Sequence, residues 1–105
     1  MKKYNFRGGK MKINRIGTYY KGKKSENGGE IIEEFDNFNI ELDNVGINAI
    51  AKIDKNGYYF NILAVYKNNR IYRGQRFHIK YINIVRDIIF EHYRQNNMVE
   101  WLKGE

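Results

Sequence analysis

Hydrophobic residues in the middle of the chain fall at every second position. Val45, Ile47, Ala49, Ala51 and Ile53 alternate with polar or small neighbours, Asp54-Lys55-Asn56-Gly57 interrupts them, and residues 58–66 alternate again. Asn-Gly tolerates the positive φ of a type I′ turn, so this pattern predicts a β-hairpin. A second reversal is expected at Asn68-Asn69, because asparagine enters the left-handed region more readily than most residues. A strand over 70–79 would then complete an antiparallel meander. Upstream, Phe38, Ile40 and Leu42 alternate with Asn37, Asn39, Glu41 and Asp43 and predict a strand over 37–43. Met11 and Ile13 share one face of a strand over 11–20, with a slip or bulge before Ile16, Thr18 and Tyr20. Residues 31–35 fit either a helical turn or the start of a strand. Residues 21–30 have nothing to bury and read as loop, and the glycines and charges of 1–10 read as a basic flexible arm.

Beyond residue 80 the period changes from two to about 3.6. Ile82, Val85, Ile89 and Tyr93, with Ile84 and Ile88 beside them, line one side of a helix; Asn83, Arg86, Asp87, Glu91 and Arg94 line the other. Asn96-Asn97 is expected to interrupt or cap this helix, and Met98, Val99, Trp101 and Leu102 form a short apolar tail. The fold class is therefore α+β: an antiparallel sheet of four or five strands followed by a C-terminal amphipathic helix. The 105 residues make a basic arm over 1–10 and a single domain over 11–105. A chain of this length hides roughly 65% of its unfolded surface, enough for one core.

Composition narrows the setting. There is no cysteine, hence no disulfide framework or thiolate metal site, and a reducing cytoplasm suits the chain. No apolar run approaches the ~20 residues that span a bilayer, and no signal-peptide apolar region follows the basic start. The absence of proline, with many Lys, Asn, Ile and Tyr, resembles coding in an AT-rich genome such as a low-GC bacterium or its phage.

The formal net charge of +7 is laid out in blocks. Residues 1–24 hold nine bases and no acid, 25–43 seven acids and no base, 52–80 seven bases against Asp54 alone, and 81–105 three bases against four acids. Such blocks give a dipolar surface whose basic areas concentrate polyanions.

No catalytic motif is complete. Gly17, Gly22 and Lys23 match the glycine and lysine spacing of a phosphate-binding loop, but Lys24 stands where the magnesium-binding hydroxyl belongs, and a basic hairpin loop accounts for the stretch. Glu30, Glu33, Glu34 and Asp36 could place two carboxylates together, yet no further ligands are arranged for a hard metal; the group reads as a solvated acidic face. Asp54 to Gly57 resembles part of a calcium loop, but Leu63 falls where its bidentate acid would be, so it reads as a turn. His78, among Arg76, Lys80 and Tyr81, could assist RNA cleavage, but no second base accompanies it. His92 edges the helix. No enzyme activity and no cofactor are implied.

The strongest chemical pattern is the interleaving of bases and aromatics over 70–80. In an extended strand Arg70, Tyr72, Arg76, His78 and Lys80 would share one face and Ile71, Phe77 and Ile79 the other, with Arg73 and Gln75 between. The neighbouring strand would add Tyr59 and Lys67 or, in the other register, Tyr58 and Tyr66. Cations neutralise phosphates and rings stack on unpaired bases, so Tyr59, Lys67, Arg70, Tyr72, Arg73, Arg76, His78 and Lys80 are the expected nucleic-acid contacts. Tyrosines packed beneath Lys and Arg stems on an ordinary sheet surface are the plainer explanation.

From residue 46 to 95, a strand ending in Lys55-Asn56-Gly57, an aromatic-rich strand, a turn, and Tyr72-Arg73-Gly74-Gln75-Arg76-Phe77-His78-Ile79 leading into an amphipathic helix resemble the transcriptional-coactivator (positive cofactor four, Whirly-like) family of single-stranded-DNA-binding proteins. Arg73, Gly74, Arg76 and Ile79 correspond to its basic-glycine-basic-hydrophobic lead into the helix. The resemblance implies a curved four-stranded sheet, a homodimer through the C-terminal helix, and unpaired DNA held by basic and aromatic sheet residues. The acidic segment and the apolar tail depart from that pattern. A second expectation, of another class, is a small phage-encoded inhibitor of the anti-CRISPR or anti-restriction type that binds a host nucleoprotein, with Glu30, Glu33, Glu34 and Asp36 as its docking segment.

Overall fold

A computed structural model of the chain describes residues 2–6 and 9–96, with side chains from residue 11 onward. Strands β1 (Lys2–Phe6), β2 (Gly9–Lys24), β3 (Glu30–Leu42), β4 (Val45–Asp54), β5 (Gly57–Lys67) and β6 (Arg70–Tyr72) form one sheet in sequence order, and helices α1 (Gln75–Ile79) and α2 (Ile82–Gln95) follow. Every neighbouring pair is antiparallel. The α+β meander read from the pattern is what forms, and β1 adds a further strand within the stretch read as an arm. No helix among the described residues is long and apolar enough to cross a membrane.

Tight turns set the registers. Asn68 and Asn69 adopt φ of 53° and 63°, so both enter the left-handed region at the expected reversal, and Lys67 pairs with Arg70 across it. The β4–β5 turn is built differently from the expected Asn-Gly type I′. Asp54 pairs with Gly57, and the Asp54 Oδ1 accepts the backbone N–H groups of Asn56 at 2.7 Å and Gly57 at 3.1 Å. Only Gly57, at φ 149°, has positive φ in this turn; the aspartate side chain does the folding that Asn-Gly was expected to do.

One sheet face is covered. Met11 and Ile13, Phe38 and Ile40, Ile47, Ala49 and Ala51, and Ile62 and Val65 alternate onto it, where Val85, Ile88, Ile89 and Tyr93 of α2 close the core. Burying each large apolar side chain contributes about 1.5–3 kcal/mol, which is why a half-apolar helix folds onto this surface. Leu63 is the extra residue of a bulge, since Asn48 pairs with Ala64 and Ala49 with Ile62. The outward side of α2 presents Asn83, Arg86, Asp87 and Arg94, with its apolar side spent on the sheet. Ile82, read as core, is exposed at the helix start.

A polar clasp ties α2 to the sheet. Tyr93 donates its hydroxyl to Asp36 Oδ2 at 2.6 Å, and Arg15 Nε donates to Asp36 Oδ1 at 2.8 Å. Burial, reinforced by the hydrogen bond to Asp36, pushes the Tyr93 hydroxyl well above its ordinary pKa, and burial does the same to Tyr58. The stability gained by keeping these phenols protonated is complete below about pH 10, where unfolded tyrosines ionise, and is lost as pH rises further. Tyr93→Phe, which strips Asp36 of one donor, should cost about 1–3 kcal/mol at neutral pH. It should also flatten the alkaline fall in stability, as urea denaturation at neutral and at high pH would show.

Two expectations about local structure are corrected. The strand over 70–79 stops at Tyr72, and Gln75–Ile79 is helical. Gly74 O accepts Phe77 N and His78 N, the Tyr72 ring stacks on Phe77 at 4.3 Å and 11°, and the Phe77 and Tyr81 rings meet at 5.8 Å. Residues four apart meet on a helix and not on a strand, so the apparent alternation here was accidental. Consequently His78, assigned to the outer face, is buried, and Ile79, assigned to the core, is 61% exposed. The loop over 21–30 is also shorter than expected: β2 runs to Lys24, β3 starts at Glu30, and 31–35 is strand. Lys21 lies opposite Glu33 and Lys24 opposite Glu30, so opposite charges support a ladder that buries little. Asn96 caps α2 as expected, its side-chain amide donating to His92 O at 2.8 Å; Asn97 and the apolar tail lie outside the described residues.

Candidate nucleic-acid interface

The expected contact residues divide into three groups. Lys67 and Arg70 are cross-strand partners beside the Asn68-Asn69 turn, and Arg73, Arg76 and Lys80 follow through the link and α1. Tyr72 pairs with Val65 and so lies on the helix-covered face. These six gather at the end of the sheet formed by β5, β6 and α1. Tyr59 does not join them. It pairs with Lys52 on the opposite, open face near the other end of β5, about 26 Å from Lys67 at ~3.3 Å per residue. His78 is withdrawn from any surface role: its Nε2 lies 3.0 Å from Tyr72 O, joining α1 to β6.

The shared face of Arg70, Tyr72, Arg76, His78 and Lys80 therefore does not exist: Arg70 lies on β6, Arg76 in α1 and Lys80 at its C-cap. They are free in a specific sense. Among the described residues the ion pairs are Lys12–Glu41, Arg15–Asp36, Lys23–Glu33, Lys52–Glu33, Arg86–Asp87 and Arg94–Glu91, and none involves Lys67, Arg70, Arg73, Arg76 or Lys80. No Asp or Glu occurs between Asp54 and Asp87 in the sequence, so this stretch of chain contributes positive charge only. The Lys80 ammonium also lies 5.9 Å from the Tyr81 ring centroid. With Tyr72 and Phe77 stacked on each other, their ring faces serve to hold α1 in place.

The acidic group is spread over β3. Glu33 sits on the open side, bonded to Lys52 at 2.8 Å with Lys23 at 3.9 Å; the Lys52 hydrogen bond and charge hold its carboxyl below the usual range. Asp36, on the helix side, is taken by Arg15 and Tyr93. Glu30 and Glu34 also face the helix side and have no such partners. Among the described residues no cluster of three or more His, Asp or Glu could hold a metal ion. The stretch resembling a phosphate loop is the end of β2, closed by a turn in which Ser25 N donates to Gly29 O at 2.7 Å, and no helix follows.

One feature of the open face escaped the sequence reading. Tyr19, Phe35 and Tyr59 form a row with ring centroids 6.5 and 5.2 Å apart, and Lys52 lies 5.1 Å from the Phe35 centroid. Phe35 and Ile50 are buried although α2 covers the other face. The signal was the parity of Tyr19 and Phe35, visible once the bulge at Ile16 is counted.

Compared with known protein families, curated proteins and solved structures, the chain matches none.

Proposed function

We propose that this chain is a non-catalytic nucleic-acid-binding protein that grips the phosphate backbone with Lys67, Arg70, Arg73, Arg76 and Lys80. The observation that carries the reading is the set of five cations without ion-pair partners among the described residues, in a stretch of chain devoid of acids. Three are arginines, whose planar forks match phosphate oxygens bidentately. The Tyr72–Phe77 stack and the His78–Tyr72 contact pre-place α1, so little ordering is left to accomplish on binding. Phosphate contacts of this kind position a protein on a strand without reading bases.

The reading as an inhibitor that docks through Glu30, Glu33, Glu34 and Asp36 gains less from the geometry, because Glu33 and Asp36 are neutralised by bases of the same molecule. The test is a salt titration of oligonucleotide binding followed by fluorescence anisotropy. Five phosphate contacts predict that log K falls with log salt at a slope of about −3.5 on single strands and about −4.5 on duplex. Absence of binding at low salt, or a slope near zero, would overturn the reading. Tyr72→Ala should loosen α1, seen as faster amide exchange over 75–80, in place of the pure stacking loss expected of an exposed ring.

A further inference from the structure

The far part of the β2–β3 hairpin, residues 19–24 and 30–35, leaves the sheet as a two-stranded ribbon, because β4 pairs with β3 only from Asp36 onward. Its two faces are unequal. On the open side the Tyr19–Phe35–Tyr59 row and the Glu33–Lys52 bridge tie it to the body. On the helix side Tyr20 and Ile32 are each 63% exposed, and Glu30 and Glu34 form no ion pair or side-chain hydrogen bond among the described residues. Tyr20 lies opposite Glu34 and Gly22 opposite Ile32, so Tyr20 and Ile32 are diagonal neighbours, and glycine leaves Ile32 without a cross-strand side chain. Among the described residues the outer edge of β3 over 30–35 has no paired strand.

We infer that this ribbon is a docking site for an extended cationic and apolar segment of another protein, which adds along the outer edge of β3. Backbone groups of the edge supply hydrogen bonds, Tyr20 and Ile32 take apolar side chains, and Glu30 and Glu34 take Lys or Arg. The charge selects this occupant. A strand added at this edge lies beside Glu30, Ile32 and Glu34, with β3 between it and Lys21, Lys23 and Lys24 of β2, so its cross-strand partners favour Lys or Arg. A second copy of β3 would bring glutamates against glutamates. Scattered exposed apolar residues are ordinary, but here two adjoin each other on an unpaired edge, and a bare two-stranded ribbon gains stability from a third strand.

A short labelled peptide of alternating Lys and Leu is the probe, with alternating Glu and Leu as its control. Saturable binding of the Lys-Leu peptide alone is expected, with slowed amide exchange confined to 30–35. Tyr20→Ser with Ile32→Ser, and separately Glu30→Lys with Glu34→Lys, should each weaken it about tenfold or more. Circular dichroism would check that each variant keeps the wild-type fold. Absence of binding by wild-type protein, equal binding of both peptides, or unchanged binding by folded variants would overturn the inference. The outcome is independent of whether the chain binds oligonucleotides.

Discussion

Phe38→Ala is expected to lower unfolding free energy by about 3–5 kcal/mol, a large share of the ~5–15 kcal/mol that a domain of this kind possesses. Phe38 is fully buried, lies opposite Ala49 on β4, and meets the His92 and Tyr93 rings edge-on at 5.4 and 5.8 Å. Its removal opens a cavity where the last turns of α2 rest on the sheet, and strands on either side keep β3 from collapsing into it. Urea denaturation gives the measurement. A loss below about 1 kcal/mol would mean that α2 does not seat on this face. Phe77→Ala should cost less, since Phe77 is only partly buried at the margin of the same core.

The second large effect is on binding. Replacing Arg70, Arg73, Arg76 and Lys80 by Ala together should make the salt slope shallower by about 3 units on single strands and reduce low-salt affinity by about a hundredfold. Each position is exposed and without an ion-pair partner among the described residues, so each change should cost less than about 0.5 kcal/mol of stability. Anisotropy titrations at several salt concentrations, with thermal melts in parallel, separate the two quantities. An unchanged slope in a folded variant would place the phosphate contacts elsewhere.

The parts of the fold legible beforehand are those where burial and periodicity coincide. The β4–β5 hairpin, the reversal at Asn68-Asn69 and the helix carrying Val85, Ile89 and Tyr93 all follow from one apolar face meeting another. The irregularity before Ile16 was also visible, and the register shifts between Arg15 and Gly17. What stayed hidden has physical causes. In 73–79 two periods fitted the same few residues, and the helical one prevailed because the chain past β6 turns back over the core, with Phe77 and Tyr81 in contact. Apart from Phe35 the ribbon buries almost nothing, so hydrophobic alternation could not announce it. The cations of the candidate site follow from residue type alone, and of them only Lys67 and Arg70 are cross-strand partners. Tyr59 was assigned to their company because alternation along β5 does not say which sheet face a neighbouring strand's residue shares, nor reveal the bulge at Leu63.

Ile16 gives one residue unusual leverage over the molecule's surface. Because it is an insertion in β2 without a counterpart on β3, it acts as a parity switch: every side chain beyond it points to the side opposite the one that uninterrupted alternation would give. Keeping that residue but straightening the bulge would slip 17–24 by one place along β3 and exchange the two sides of 18–24 while leaving 9–15 as they are. Tyr20 would then lie opposite Glu33 on the side of Phe35, and Lys21 and Lys23 would move from the side of Glu33 and Lys52 to that of Glu30 and Glu34. Deleting Ile16 outright would, by contrast, leave every one of these residues on its present side, because Gly17 would follow Arg15 directly and still lie opposite Asn37.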